Sequence, residues 1–283
     1  MAENKNNKPI NKRKDIIAID MGGTNLRIAI VRSNKIIKYH KEKTPKTSLE
    51  IKRRIFDLVG GYMSDTIKGI AVSSPGPLKD GTIKNPPNLP LKNYNLKKAL
   101  QNKFKVTAVV KHDADCVAFA EAKLGSKKKN FILLTLGTGI GGGIIINGEI
   151  YRGTGYAGEL GHIVINNGKY LENLAASKRL KKVTKEIFGE SKTFSDLIKI
   201  KNQKSKKLLN EFTKYYGQGI ASLINCFDPE VVVLAGGVSE AGEEFIKLIR
   251  ANASKYSTLP KKTSIIWTKL KHPGILGASL YIK

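Results

Sequence analysis

The sequence predicts an α/β protein made of two copies of one domain that face each other across a cleft. Three observations carry this expectation. Apolar runs of strand length alternate with segments of helical periodicity along nearly the whole chain. An opening of strand, glycine turn, strand, hairpin and strand occurs twice, at 16–40 and again at 131–151. The chain of 283 residues suits two medium domains, and the interval between the two openings is too long for a solenoid repeat.

Residues 1–14 are polar and basic, lack the apolar stretch of a signal peptide, and are expected to form a disordered tail. Ile16–Ile19 is a buried strand that meets the turn Met21-Gly22-Gly23-Thr24. Strands follow at Leu26–Val31 and Ile36–His40, with Asn34 at the hairpin between them. Leu49–Met63 has helical periodicity, and Gly69–Ser73 is a further buried strand. The stretch Gly81–Pro90 is proline-rich and expected to be an irregular loop. A helix at Leu96–Asn102, a strand at Val106–Val110 and a helix at Asp113–Leu124 complete the first half. The second half opens with strands at Phe131–Leu136 and Gly141–Ile146, joined through Gly137-Thr138-Gly139. Asn147-Gly148 marks a hairpin into Glu149-Ile150-Tyr151. Helices are expected near 173–189, 193–199, 203–226 and 239–254. Strands Val231–Leu234 and Thr263–Trp267 and a closing helix from Pro273 finish the pattern. The implied domains are 15–112 with 271–283, and 113–270.

Composition narrows the function classes. Hydrophobic residues are 41% and charged residues 26%, ordinary globular values that exclude disorder as the main state. Apolar runs are too short to span a bilayer, so no membrane partner is expected. The cysteines, Cys116 and Cys226, form neither a CxxC pair nor a zinc spacing, which suits a reduced cytoplasmic chain. The net charge of +27 is the excess of 42 Lys and 8 Arg, spread along the chain, over 23 Asp and Glu. With aromatics at 7% and none interleaved with the basic runs, a lysine-rich solvated surface is the reading, without specific nucleic-acid binding.

Two segments carry phosphate chemistry. In Asp20-Met21-Gly22-Gly23-Thr24-Asn25 the glycines let backbone amides approach a phosphate, and Asp20 at the strand end suits a hydrated Mg²⁺. Gly137-Thr138-Gly139 occupies the matching place in the second copy. It is flanked by strands on both sides, so it is not a dinucleotide fingerprint, and no P-loop motif exists in the chain. Gly236-Gly237 after a buried strand is a third, weaker glycine signal.

Six segments in order make a specific resemblance: Ile19 to Asn25, Asn85-Pro86-Pro87-Asn88-Leu89-Pro90, His112-Asp113-Ala114-Asp115, Leu136 to Gly141, Gly158-Glu159-Leu160-Gly161-His162, and Ala235-Gly236-Gly237-Val238. The chain resembles the ROK family of sugar kinases (repressor, open reading frame, kinase), within the superfamily of actin and hexokinase. The resemblance implies two ribonuclease-H-like, actin-like ATPase domains with mixed sheets. It implies that Asp113 accepts the proton of a sugar hydroxyl as that oxygen attacks the γ-phosphoryl group of ATP. Asn88, His112, Glu159, His162 and Glu172 would contact the sugar together with Asp113. Gly22, Gly23, Thr24, Asn25, Gly137, Thr138, Gly139, Gly236 and Gly237 would hold the ATP phosphates, with Asp20 assisting Mg²⁺. Glucose phosphorylation at the 6-hydroxyl by a homodimeric enzyme is the simplest expectation. Kinases of N-acetylmannosamine, N-acetylglucosamine, fructose or allose share these motifs.

Two departures stand out. The family usually carries a cysteine-rich zinc motif after its Glu-x-Gly-His segment, whereas this chain reads Ile165-Asn166-Asn167-Gly168-Lys169-Tyr170. No structural zinc is therefore expected. The family's Asn before the catalytic Asp is His112, a bulkier group with one donor and one acceptor when neutral. Family repressors add an N-terminal helix-turn-helix, for which the roughly 15 residues before the first strand are too few. A non-catalytic sugar sensor is disfavoured by the presence of both Asp20 and Asp113.

Overall fold

The computed structural model describes residues 14–86 and 89–283. The expected basic tail, apart from Lys14, and the sugar contact expected at Asn88 lie outside the described residues. The chain divides into two compact units, one running up to Cys116 and including Gly274–Lys283, the other Val117–Pro273. The sequence boundaries at 112/113 and 270/271 sit a few residues ahead of these.

The first unit is built on strands β1 (Asp15–Met21), β2 (Asn25–Arg32) and β3 (Lys35–Lys43), helix α1 (Ser48–Tyr62) and strand β4 (Ile67–Ser74). Three short strands follow, β5 (Leu78–Lys79), β6 (Thr82–Ile83) and β7 (Tyr94–Asn95), then α2 (Leu96–Phe104), β8 (Thr107–His112) and the first turn of α3 (Asp113–Lys123), whose residues from Val117 onward belong to the second unit. The main sheet has the order β3-β2-β1-β4-β8. β1 runs antiparallel to β2 and parallel to β4, which runs parallel to β8. α1 starts at a capping box in which Thr47 and Glu50 satisfy each other's backbone N–H groups. Its Ile51, Ile55, Leu58 and Val59 recur at helical spacing and pack with Ile17, Ile19, Met21, Ile70 and Val72 on one face of the sheet.

The second unit contains β9 (Phe131–Leu136), β10 (Ile140–Ile146), β11 (Glu149–Ile150), β12 (Val164–Asn166), β13 (Lys169–Tyr170), α4 (Leu171–Ala175), α5 (Ser177–Phe188), α6 (Phe194–Ile200), α7 (Gln203–Phe227), β14 (Val231–Ala235), α8 (Gly242–Tyr256) and β15 (Ser264–Trp267). Its sheet order, β11-β10-β9-β14-β15, repeats the first unit's pattern of directions. The duplication read from the two openings thus holds strand for strand. Phe194, Phe212, Tyr216 and Phe245 form the aromatic centre of the core, and the Tyr216 hydroxyl donates to the Ala175 carbonyl at 2.7 Å. The last helix, α9 (Pro273–Ser279), returns to the first unit, where Ala278 and Ile282 pack with Ala71 and Cys116 on the other face of the sheet.

Four expectations change. The loop expected at Gly81–Pro90 contains β6, in a small sheet of order β5-β6-β7, because two-residue pairings leave no periodicity to read. The helix expected at 173–189 is two helices, broken where Ala176 turns extended at ψ 152. The helix expected at 239–254 is preceded by a 3-10 turn at Gly237–Ala241 and starts at Gly242. The stretch without an assigned element at 164–170 is a hairpin, β12–β13, whose turn residues Asn167 and Gly168 both have positive φ, the mark of a tight two-residue turn. Among the described residues no helix is long and apolar enough to cross a membrane.

Candidate active site

In the first unit, strand parity decides which side chains share a face. On β1, Ile17, Ile19 and Met21 face α1, so Asp20 points to the opposite face, where α9 packs. The register sets Asp20 opposite Arg27 on β2 and Ser73 on β4. Arg27 donates from Nη1 to Asp20 Oδ2 at 2.8 Å, and the Ser73 hydroxyl donates to Oδ1 at 3.1 Å. Gly274, at the start of α9, sits so close that a Cβ there would lie 3.0 Å from Oδ1. Burial pushes the Asp20 carboxyl above its ordinary range, Arg27 opposes this, and the charge of Asp113 adds to it. A single carboxylate at a strand end, beside an amide-rich turn, fits the way Mg²⁺ is held through waters and phosphate oxygens.

The turn after β1 is tight: the Gly22 N–H donates to Asn25 O at 3.0 Å. Thr44 ties it down, its hydroxyl donating to Gly22 O at 2.6 Å and its N–H to Thr24 O at 3.1 Å. Gly23 and Thr24 are left exposed at the tip. His112 ends β8 and Asp113 opens α3, and the Ala114 N–H donates to Asp113 Oδ1 at 2.7 Å. The Asp113 side chain is 43% exposed, open enough to meet a substrate. Cys116, one turn on, is buried; burial first, then Asp115, Asp113 and Asp20, push its thiol well up, so it is a packing group and not a nucleophile.

In the second unit the glycine turn is held from below. Glu172 accepts from the Ile140 N–H at 2.6 Å, and its carboxylate fills the space a side chain at Gly139 would need. Ser177 and Lys178, at the start of α5, donate backbone N–H groups to Gly137 O and Thr138 O at 3.0 and 3.4 Å. Gly236 packs on the backbone of Leu136, so the two glycine segments are neighbours. Glu159 and His162 flank a 3-10 turn at Leu160–His162, with Nδ1 of His162 3.2 Å from Oε2 of Glu159. His162 also meets the Tyr170 ring edge-on at 5.5 Å. This segment lies on β10. Gly161 abuts Ile140 O, and a Cβ at Gly142 would meet the Leu160 side chain and lie 2.7 Å from Gly158 O, so Gly142 serves the close approach of this segment to β10.

The structure thus brings Glu172 beside Gly139 and Glu159 beside His162, and sets Asp20 within reach of the charge of Asp113. Arg27, Ser73 and Thr44 were not singled out in the sequence; counting pairs outward from the Gly22–Thr24 turn would have found Arg27. The donors in the stretch after His162 do not fit zinc, and among the described residues no three His, Cys, Asp or Glu side chains cluster to hold a metal.

The ROK family matches residues 16–283, nearly the whole chain. The chain belongs to the ROK family. Over 94% of its length and 94% of its counterpart, this ROK protein is 29% identical to a glucokinase from Halalkalibacterium halodurans. A xylose repressor from Caldicellulosiruptor bescii is 30% identical over 83% of the chain and 69% of the repressor, so the family's regulators are relatives too. Among solved structures, a ROK family glucokinase from Streptomyces griseus in complex with glucose and AMPPNP superposes with a TM-score of 0.84 at 25% identity, covering 95% of this chain and 99% of that one. The ROK protein accordingly has the two-domain actin-like fold.

Proposed function

We propose that this protein is an ATP-dependent sugar kinase that transfers the γ-phosphoryl group to the 6-hydroxyl of a hexose, with glucose as the simplest substrate. The observation that carries this reading is the presence within one unit of an open carboxylate, Asp113, and a half-buried one, Asp20, close enough for each charge to act on the other. Asp113 accepts the proton of the attacking hydroxyl and orients it. In a loose phosphoryl-transfer transition state such positioning does much of the catalysis. Bound Mg²⁺ supplies charge neutralisation to the phosphates, and Asp20 is the residue that would hold it through water. The exposed tip Gly23–Thr24 and the residues Thr138 and Gly139 offer amide N–H groups to phosphate oxygens, while the Gly137 N–H is held inside its own turn by Gly139 O at 2.9 Å. Asn88, His112, Glu159, His162 and Glu172 are assigned to the sugar hydroxyls, and directional donors and acceptors of this kind reject the wrong epimer.

A sugar-responsive regulator is the second reading, favoured by the repressor relative. The two carboxylates support the kinase over it. A coupled assay of ADP release across hexoses and N-acetylhexosamines tests the choice. Sugar-dependent turnover with ATP is expected, with glucose among the best substrates. Sugar binding without turnover of any of them would establish the regulator instead.

A further inference from the structure

His112 and Asp113 are consecutive, yet their side chains meet. His112 ends β8 opposite Ser74 of β4, so the loop leaving β4 passes over its ring. Gly76 in that loop is the contact: a Cβ there would lie 2.7 Å from Cδ2 and 3.2 Å from Nε2 of His112. With the ring where it stands a Cβ would not fit, so the imidazole is seated on one side by glycine and a side chain there would push it away. Its Nε2 faces Asp113, 3.5 Å from Oδ1. The same Oδ1 accepts the Ala114 N–H at 2.7 Å. Among the described residues, both close polar contacts of the carboxylate therefore fall on one oxygen. The ring is the more enclosed partner, at 24% exposure against 43% for Asp113.

We propose that His112 is a positioning residue for Asp113. Rotation of an Asp carboxylate about its last bond is broad and roughly two-fold, so one contact to Oδ1 leaves the group free to swing. A second contact from a wedged ring fixes its plane. Oδ1 is then committed to the protein and Oδ2 is presented to the substrate hydroxyl. With its proton on Nε2, the ring is a donor toward Oδ1. The 3.5 Å separation exceeds hydrogen-bond length, and contacts of this kind shorten when substrate orders the site. Gly76 then acts through His112, as the seat that holds the ring. The proposal rests on the kinase reading of Asp113, and its test separates the two.

The first measurement needs no activity. Among the 4 histidines, the ring signals of His112 are followed by NMR in the full chain. Asp113→Asn and Gly76→Ala are each expected to move them while leaving His40 and His162 in place. Unmoved His112 signals in Asp113→Asn overturn the contact, whatever the enzyme does. The second is kinetic, on the sugar that the wild type turns over best. His112→Ala is expected to lower kcat about 10- to 100-fold, the scale of a displaced catalytic group, with the KM for ATP unchanged. His112→Gln, which returns an amide donor, should recover part of the loss. Gly76→Ala should lower kcat without adding to the effect of His112→Ala, because both act through the ring. A His112→Ala enzyme with wild-type kcat overturns the proposal. So does one as impaired as Asp113→Asn and not rescued by Gln, which would make His112 itself the proton acceptor. Absence of turnover in the wild type counts against the kinase reading alone, and the NMR result still decides the contact.

Discussion

Arg27 Nη1 donates to Asp20 Oδ2 at 2.8 Å across the β1–β2 hairpin, yet the carboxyl of Asp20 remains pushed above its ordinary range by burial. The ion pair does not fully offset desolvation, so the charged form is held in place at a cost to the fold. The sign follows: a carboxyl whose folded pKa is raised favours the fold when protonated and opposes it as pH rises through and beyond that pKa. Asp20→Asn removes the charge and keeps the size. Its thermal midpoint at pH 7 should be equal to the wild type's or a few degrees higher, a gain of about 0.5–2 kcal/mol at most, while kcat falls steeply. A large drop in the midpoint, read by calorimetry, would mean that the Arg27 pair is net stabilising.

Asp113→Asn is the sharpest test of the proton acceptor. The amide matches the carboxylate in shape and can still accept from the Ala114 N–H, so fold and sugar binding should persist. Loss of a general base is worth about 10²–10⁴-fold in kcat. Steady-state kinetics beside sugar titration separates the two effects, and near wild-type turnover would reject the assignment.

The duplicated opening was legible because hairpin chemistry is local. Ser33-Asn34 and Asn147-Gly148 adopt the positive-φ turns that their residue types favour. Asp20 was legible for the same reason, as a carboxylate next to paired glycines. What surrounds it was not. Arg27, Ser73 and Gly274 reach Asp20 from three separate elements, and only a register fixes which residues meet. The β12–β13 hairpin was missed although Asn167-Gly168 is the same signal as Asn147-Gly148. The strands beside that turn are three and two residues long, too short to show an alternation in the sequence. Glu172 was assigned to sugar by motif, while its contact with the Ile140 amide depends on where two helices break.

Glu159 and His162 form an exposed pair, 54% and 51% accessible at the side chain, 3.2 Å apart. Exposed pairs add little to stability, so Glu159→Gln and His162→Ala should shift unfolding by less than about 0.5 kcal/mol. If they contact sugar hydroxyls, the KM for sugar should rise and the ranking of hexoses should change by about 1–3 kcal/mol in kcat/KM, with the KM for ATP unaffected. A hexose panel with unchanged ranking would remove them from the sugar site.

Acid stability has a separate origin. Arg54 forks onto Glu42 at 2.7 and 2.6 Å and holds its carboxyl down to about 2. His40 adds a contact at 2.8 Å. A depressed carboxyl pKa contributes stability above its unfolded value of 4.5, and the contribution is lost as pH falls toward about 2. Arg54 is 42% exposed, so solvent screening reduces the pair to about 1 kcal/mol. Denaturant midpoints across that window should fall less steeply in Glu42→Gln than in the wild type. Parallel curves would show the pair to be energetically silent.

The last prediction concerns zinc. Four-coordinate structural zinc needs about four nitrogen or sulfur ligands. Where the family's cysteines would stand, this chain folds Val164–Asn166 against Lys169–Tyr170. The hairpin is continued by a Leu171 N–H bond to Ile163 O at 3.0 Å and braced by the edge contact of Tyr170 with His162. Backbone pairing and an aromatic contact therefore do the work that a metal would do, and Lys169 is no zinc ligand and adds positive charge to the hairpin. His162 is turned to Glu159 through Nδ1. The purified protein should contain zinc well below one equivalent by elemental analysis. Its Mg²⁺-supported activity and its thermal midpoint should both survive a zinc chelator in excess Mg²⁺. The hairpin should instead be sensitive to its turn: Gly168→Val, with φ at 71°, places a β-branched residue where only glycine is comfortable. That substitution should raise the KM for sugar by displacing His162. One zinc per chain, lost together with activity on chelation, would overturn the account.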